Sequence, residues 1–539
     1  MFSISSYFSV EYLLMLLPAC VFCYLILPKT ARRFSLLLFS WAFFWAVSGK
    51  LIVYLLFSIV LVYVFGLWLG SLLEKQKQAL ASCEKGEKKA IRARFQKKML
   101  WVVVPGVLLH IGILLIVKYT PFFADNLNSL LRILHIPAAV KPLSLAAPIG
   151  ISFYTLQAAS YLIDVYHQKI PADRNILRIA LYMSFFPQIM EGPICRYTDT
   201  ASTLWEAPRI RWENFIRGSE RILYGLMKKT VGADRLNLLI KNVFDGYAAN
   251  GGYTAYDGFV IALAALCYTI QLYMDFSGTM DVVIGTGEIF GILMPENFKR
   301  PFFSRTISEF WTRWHITLGT WFKDYLFYPI SMSKPMKRLT SRARKRFGNH
   351  YGPLFSGGIA LLCVWFCNGL WHGSGWHYIV FGLYHFVLIL TGSLILPLSI
   401  RLAEKLHISR DHWLYHFLQI FRTFVLVCFG ELIFRAKSLG EAAGMLKKIG
   451  TAFTFASLKD GSLFTFGMNQ KDYLILFVLL GLILVISLLQ ERGVKIREAI
   501  AGKGLVIHYL AIWALILFII IFGAYGQGYL PVNPIYAEF

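Results

Sequence analysis

The stretch YGPLFSGGIALLCVWFCNGLWHGSGWHYIVFGLYHFVLILTGSLILPLSI, Tyr351 to Ile400, runs for fifty residues without Asp, Glu, Lys or Arg. A helix of about 20 apolar residues crosses the hydrocarbon core of a bilayer, so this run is long enough for two passes. Its middle, Asn368-Gly369-Leu370-Trp371-His372-Gly373-Ser374-Gly375-Trp376-His377, disfavours a straight helix because glycine and serine stabilise one poorly. Irregular backbone at membrane depth is tolerated only where it is buried in protein or lines a watery cavity. The break is therefore costly, and it carries His372.

Other charge-free runs repeat the pattern: Leu51–Leu73, Met99–Val117, Tyr473–Leu489 and Leu505–Leu530. Further candidate spans are Tyr12–Leu27, Phe34–Gly49, Ala146–Ile163, Gly258–Met274, Trp376–Ile400 and Tyr415–Phe434, with shorter pieces at Ile179–Ile194, Thr279–Leu293 and Phe355–Leu370. Together they predict an all-α, polytopic integral membrane protein of roughly a dozen transmembrane or re-entrant helices. Composition agrees. Hydrophobic residues make up 57% and charged residues 16%, against roughly 45–50% and about 25% in soluble domains. Too few charges remain to cover a water-facing surface.

The net charge of +24 does not point to nucleic acid, because the basic residues collect between spans. Nine Lys or Arg lie in Lys75–Lys98; a second cluster is Lys334, Lys337, Arg338, Arg342, Arg344, Lys345 and Arg346; a third is Arg492, Lys495, Arg497 and Lys503. Positive segments stay on the cytoplasmic side. Counting spans from them places both termini outside, and the bilayer, including its anionic lipid, is the expected partner of most of these charges. The eight cysteines imply no disulfide framework: Cys20-x-x-Cys23 and Cys363-x-x-x-Cys367 lie in apolar helical runs and read as small buried hydrophobes. The first apolar run lacks a basic leader and a small-residue cleavage site, so no cleavable signal peptide is expected.

Polar groups at membrane depth are expensive, and four places carry them. The first is the His372 break; a histidine beside glycine is sterically open to a substrate, although a core histidine bonding a carbonyl is the plainer alternative. His377 and His385 on the following span read as packing residues. The second is Glu309 to Tyr325, where Trp314, Leu318, Trp321 and Tyr325 recur at helical spacing and predict one amphipathic or re-entrant helix, with Arg313 and Asp324 about three turns apart. Interfacial anchoring explains its aromatics but leaves His315 unexplained. The third is Gln271 to Asp281, including Ser277, where Asp275 and Asp281 follow an apolar run and would need helix ends or a partner such as Arg300 or Arg305. The fourth is Phe185 to Arg196, a short apolar segment interrupted by Pro187, Gly192 and Pro193 around Glu191.

Several machineries are absent from the sequence: no H-E-x-x-H, Walker loop or dinucleotide fingerprint after a strand, and no G-x-S-x-G elbow. Neither a metal nor a nucleotide-driven chemistry is expected. Histidine remains the clearest chemical group, and a neutral imidazole in an apolar cavity suits a general base.

Seven stretches taken together resemble the membrane-bound O-acyltransferase family, in particular its bacterial branch concerned with alginate O-acetylation. They are APIGISFYTLQAASYLIDVY (Ala147–Tyr166), FFPQIMEGPICRY (Phe185–Tyr197), YMDFSGTMDVVIG (Tyr273–Gly285), MPENFKRPF (Met294–Phe302), FWTRWHITLGTWFKDYLFYPI (Phe310–Ile330), CNGLWHGSGWHYIVFGLYHF (Cys367–Phe386) and ELIFRA (Glu431–Ala436). The resemblance covers residues 145–440 of a single membrane domain, with 1–140 and 441–539 as flanking spans; the final PIYAEF looks like a weakened aromatic-rich tail.

The resemblance implies a helical fold around a central tunnel and acyl transfer to a hydroxyl, with the catalytic histidine at His372 and a second polar site at His315. It implies acetyl-CoA as cytoplasmic donor and a cell-surface polysaccharide as acceptor, reached through a separate extracytoplasmic acetyltransferase or a small partner protein. Trp371, Asn368, Trp314, Arg313, Asp324 and Ser277 are then expected along the substrate path, and Lys323 and Arg305 at the donor phosphates, with Lys299 and Arg300 nearby. D-alanyl transfer to teichoic acid is the alternative within the enzyme class. A transporter, which would also explain broken helices and intramembrane acids, is the alternative outside it.

Overall fold

A computed structural model describes residues 4–143, 145–249, 256–526 and 528–532; the C-terminal run 533–539, with its PIYAEF, lies outside them. Among the described residues every regular element is a helix, apart from one isolated antiparallel bridge between Phe298 and Trp314. Among the described residues eight helices are long and apolar enough to cross a membrane, and the shorter apolar helix Glu11–Ile26 adds to them. The first of the eight, Lys29–Ala81, consists of two arms that meet at Gly49, whose φ of 55° is open to glycine. The chain is thus an all-α, multi-pass membrane protein.

The sequence expectation differs from the structure in the basic stretches and in the helix that carries Asp275 and Asp281. The basic stretches are largely helical rather than loops: Ile52–Ala81 and Lys88–Ile133 carry most of the first one, and 334–347 is helical too. The pieces Gly258–Met274 and Thr279–Leu293 are one helix, Gly258–Ile289. It continues through Asp275 and Asp281 because both acids find cations.

The chain folds as two compact units, Met1–Ser219 with Val283–Pro295, and Glu220–Val282 with Glu296–Phe539. Residues 145–440 contribute to both. In the first unit, Ile151–Tyr166 is buried along almost its whole length. The proline-interrupted segment after Ile176–Ser184 is held by side chains where helix bonds are missing. Tyr7 Oη donates to the Phe186 carbonyl at 3.0 Å and accepts from the Met190 amide at 3.1 Å, while Ser40 Oγ accepts from the Phe186 amide at 3.1 Å. Gln188 Nε2 donates to the Tyr182 carbonyl at 2.7 Å. Non-helical backbone inside an apolar body requires such satisfaction.

In the second unit the π-helical turn Met227–Ala233 packs on Gly258–Ile289. Two glycines allow the close approach: a Cβ on Gly225 would lie 2.5 Å from the Gly278 carbonyl oxygen. Lys229 Nζ thereby reaches Asp275 at 2.7 Å and Asp234 at 3.1 Å; Lys228 Nζ reaches Asp281 at 2.6 Å and Ser277 Oγ at 3.1 Å. Arg221 joins Asp281 at 3.1 Å to Glu296 at 2.6 Å. The cations for the two acids are therefore Lys229, Lys228 and Arg221, and not Arg300 or Arg305. A buried charge is tolerated when it is paired in this way.

Candidate active site

Both candidate histidines belong to the second unit. His372 is the last residue of the helix Lys334–His372, and the next helix, Trp376–Lys405, begins after the extended residues Gly373 and Gly375. The break legible in the sequence is thus a short connection between two antiparallel helices. Glycines let these helices touch. A Cβ on Gly382 would meet the Trp365 carbonyl oxygen at 2.3 Å, and one on Gly369 would meet that of Tyr378 at 2.5 Å. His372 is buried among aromatic rings, with centroids at 5.0 Å from Trp371, 5.3 Å from Phe434 and 6.1 Å from Phe381. Asn368, one turn earlier, is buried as well.

His315 reaches the same place by an arrangement that the helical spacing does not anticipate. The expected helix over 309–325 is broken into Ile307–Arg313 and Ile316–Phe322, with His315 between them at φ 47°, ψ 50°. This left-handed conformation is unfavourable for a residue with a Cβ and costs on the order of 1–3 kcal/mol. Asn297 imposes it. Its carbonyl accepts from the Ile316 amide at 3.0 Å; its side-chain Oδ1 accepts from the Thr317 amide at 3.0 Å, from Thr317 Oγ1 at 3.0 Å and from His315 Nδ1 at 3.3 Å. The nearby Lys299 amide donates to the Arg313 carbonyl at 2.9 Å. Arg313 and Asp324 consequently do not lie on one continuous helix.

The His315 ring lies 4.8 Å from Phe276 and 5.6 Å from Trp371. Trp371 stands beside both histidines. Burial, with His372 adding to it, holds the His315 imidazole well below its ordinary pKa. His315 lies outside the eight long apolar helices and is neutral at physiological pH. His385, by contrast, accepts from Trp311 Nε1 at 3.2 Å and stacks on Trp365, a packing role as expected.

Two cavities follow one another along Gly258–Ile289. One, of about 950 Å³, is lined by Tyr273, Ser277 and Asp281 of that helix, by Phe298, Lys299 and Arg300, and by Lys495 and Arg497. The other, of about 340 Å³, is lined by Tyr268, Gln271 and Asp275, with Tyr378, Phe434 and Arg435. Phe276, beside His315, lies on the same helix between residues that line one cavity and the other, and Phe434 is shared between the smaller cavity and the surroundings of His372.

The remaining candidates are dispersed. Ser277 lines the larger cavity and accepts from Lys228. Trp314 is buried against Phe298, Phe310 and Tyr273. Arg313 is paired with Glu309 at 2.8 Å and Glu491 at 2.7 Å. Asp324 and Lys323 are exposed. Arg305 bonds the His416 ring at 3.1 Å. Neither Lys323 nor Arg305 lines the larger cavity, whereas Lys299 and Arg300 do. Sequence reading missed Asn297 and Glu491 altogether. Asn297 stood in the quoted stretch MPENFKRPF, but nothing in its spacing tied it to His315.

Two buried histidines thus flank Trp371 in a polytopic helical protein. Comparison with known proteins defines the class. Residues 167–344 match the model of MBOAT, the membrane-bound O-acyltransferase family. The probable alginate O-acetylase AlgI of Azotobacter vinelandii is 31% identical over 80% of this chain and 75% of its own length. The peptidoglycan O-acetyltransferase of Helicobacter pylori is 30% identical, covering 65% of this chain and 64% of that protein. The teichoic acid D-alanyltransferase of Bacillus subtilis is 28% identical over 55% of this chain and 70% of its own. The chain belongs to the membrane-bound O-acyltransferase family, and it is an O-acyltransferase.

Proposed function

We propose that the protein moves an acetyl group from cytoplasmic acetyl-CoA to a hydroxyl on the outer side of the membrane, destined for a cell-surface polysaccharide, with His372 as general base. The observation that carries this reading is the juxtaposition of His315, Trp371 and His372, with Phe434 shared between His372 and the smaller cavity. The larger cavity borders Lys495 and Arg497 of a basic linker, and positive linkers remain in the cytoplasm. That assigns it to the donor. Its Lys299 and Arg300, rather than Lys323 and Arg305, are then placed for the CoA phosphates. We assign the acceptor to the smaller cavity, which lies nearer the start of Gly258–Ile289 than the larger one, and both termini to the extracytoplasmic side.

In the reaction the acceptor oxygen attacks the thioester carbonyl as His372 takes its proton. The C–O bond forms, the C–S bond breaks, and the proton passes to the departing thiolate. General-base assistance contributes about 10²–10⁴-fold; alignment of donor and acceptor supplies much of the remainder. Neutral His315 donates from Nδ1 to Asn297 Oδ1, so its Nε2 is an acceptor and serves as a relay for a proton rather than as a donor to the carbonyl oxygen. An extracytoplasmic acetyltransferase or small acceptor protein would carry the group onward. The activities named for the relatives, two O-acetylations and a D-alanylation, support this class of transfer.

The test is mild-base release of esters from the envelope polymers of cells producing the wild type or His372→Ala, with membrane insertion verified. Acetate released from wild type and lost in the variant supports the proposal. Released D-alanine would replace the acetyl group, and undiminished ester in the variant would remove His372 from the chemistry.

A further inference from the structure

Beyond the histidine site, the second basic cluster has an architecture of its own. Residues 334–347 form a helix that ends at Gly348, where φ is 77° and ψ is −179°, and the chain re-enters a helix that runs to His372. The two arms fold back on each other. Thr340 Oγ1 bonds Ser356 Oγ at 2.5 Å, and a Cβ on Gly352 would sit 2.6 Å from Arg344 Cα. The pairs 340 with 356 and 344 with 352 are each centred on 348, as in an antiparallel hairpin. Phe347 stacks on Phe355 at 5.0 Å across the turn.

The first arm is unusual in its charge. Lys334, Lys337, Arg338, Arg342, Arg344, Lys345 and Arg346 are all exposed. None of these seven is in an ion pair among the described residues, and no acid occurs in the sequence between Asp324 and Glu404. Ala343 is buried and Met336, Leu339 and Thr340 are half-buried, so one face packs inward while the cations cover the others. Solvation of seven like charges on so short a helix does not require this arrangement; a dense anionic surface satisfies it.

We propose that residues 334–347 form a docking surface for anionic phospholipid headgroups, which fixes the base of the His372 helix at the level of the headgroups. The second arm supports the lipid source over any soluble anion. It enters a charge-free apolar run at Tyr351, and Tyr351 and Phe355 are exposed beside the cations, so the basic arm lies where hydrocarbon gives way to headgroup. Each basic side chain close to an anionic surface contributes about 1 kcal/mol, which corresponds to about fivefold in lipid partitioning.

The test is native mass spectrometry of the full-length protein released from nanodiscs of phosphatidylcholine and phosphatidylglycerol in equal amounts. Wild type is expected to retain phosphatidylglycerol over phosphatidylcholine by about tenfold or more at low salt, with the preference shrinking in high salt. A variant with Lys337, Arg338, Arg342, Lys345 and Arg346 changed to Gln is expected to lose most of that preference. A second variant with Arg492, Lys495, Arg497 and Lys503 changed to Gln is expected to keep it. Absence of preference in the wild type, equal loss in both variants, or an undiminished preference in the first would each overturn the proposal; binding of an acidic protein instead of lipid would appear as the first of these outcomes.

Discussion

Asn297→Ala is expected to disable the enzyme without emptying its cavities. The Asn297 side chain is fully buried, and its Oδ1 accepts three hydrogen bonds, from the Thr317 amide, the Thr317 hydroxyl and His315 Nδ1. Leaving one such buried donor without its acceptor costs about 1–3 kcal/mol, part of which relaxation recovers. Those bonds offset the left-handed backbone of His315, itself worth on the order of 1–3 kcal/mol. Their loss therefore tips the local equilibrium by about 3 kcal/mol, and the fraction of molecules with His315 in place falls about 10²-fold. The assay is ester formation by protein reconstituted in vesicles, with donor concentration varied. kcat should fall by about that factor while KM for the donor stays within about threefold, because the cavity walls are untouched. Asn297→Asp adds a sharper reading. It keeps the acceptor but places a carboxylate against His315, raising its pKa from the depressed value set by burial and His372. As pH falls, the Asp variant then protonates His315 and loses activity at a pH where the wild type, with the lower pKa, is unaffected. A wild-type kcat in Asn297→Ala, or superimposable pH profiles for Asp and Asn, would refute the role given to this amide.

Two further outcomes follow from the packing. Lys229→Ala strands Asp275 and leaves Asp234 with the Val532 amide but no cation, so a loss of about 3–5 kcal/mol is expected; Lys228→Ala should cost clearly less, because Asp281 keeps Arg221 at 3.1 Å. Melting temperatures in detergent check the ranking, and a reversed order would sink it. Gly382→Ala drives a methyl against the Trp365 carbonyl, 2.3 Å from the ideal Cβ, and should destabilise by about 1–3 kcal/mol and displace His372. Gly392→Ala, with open space at its Cβ, is the control and should be neutral or slightly stabilising; equal behaviour of the two would show that the close approach at Gly382 does not matter.

Hydropathy alone determined the membrane class, since water cannot be faced by a chain with 16% charge. It also located the break at His372, because glycine and serine weaken a helix whatever packs around it. The stretches quoted from 147 to 436 carried the family. What the sequence could not decide were distances across the fold. One reading of Trp314 to Tyr325 as a continuous helix followed from periodicity, which is blind to a backbone bend imposed by Asn297, 18 residues away from His315. The partners of Asp275 and Asp281 were equally illegible, because Lys229 and Lys228 come from a π-turn 46 and 53 residues earlier, brought into reach by two facing glycines. Local sequence sets helix, span and break through short-range propensities and the solvent. Only the tertiary structure, by bringing distant polar groups together in an apolar body, decides which of them hold the histidines and which merely neutralise one another.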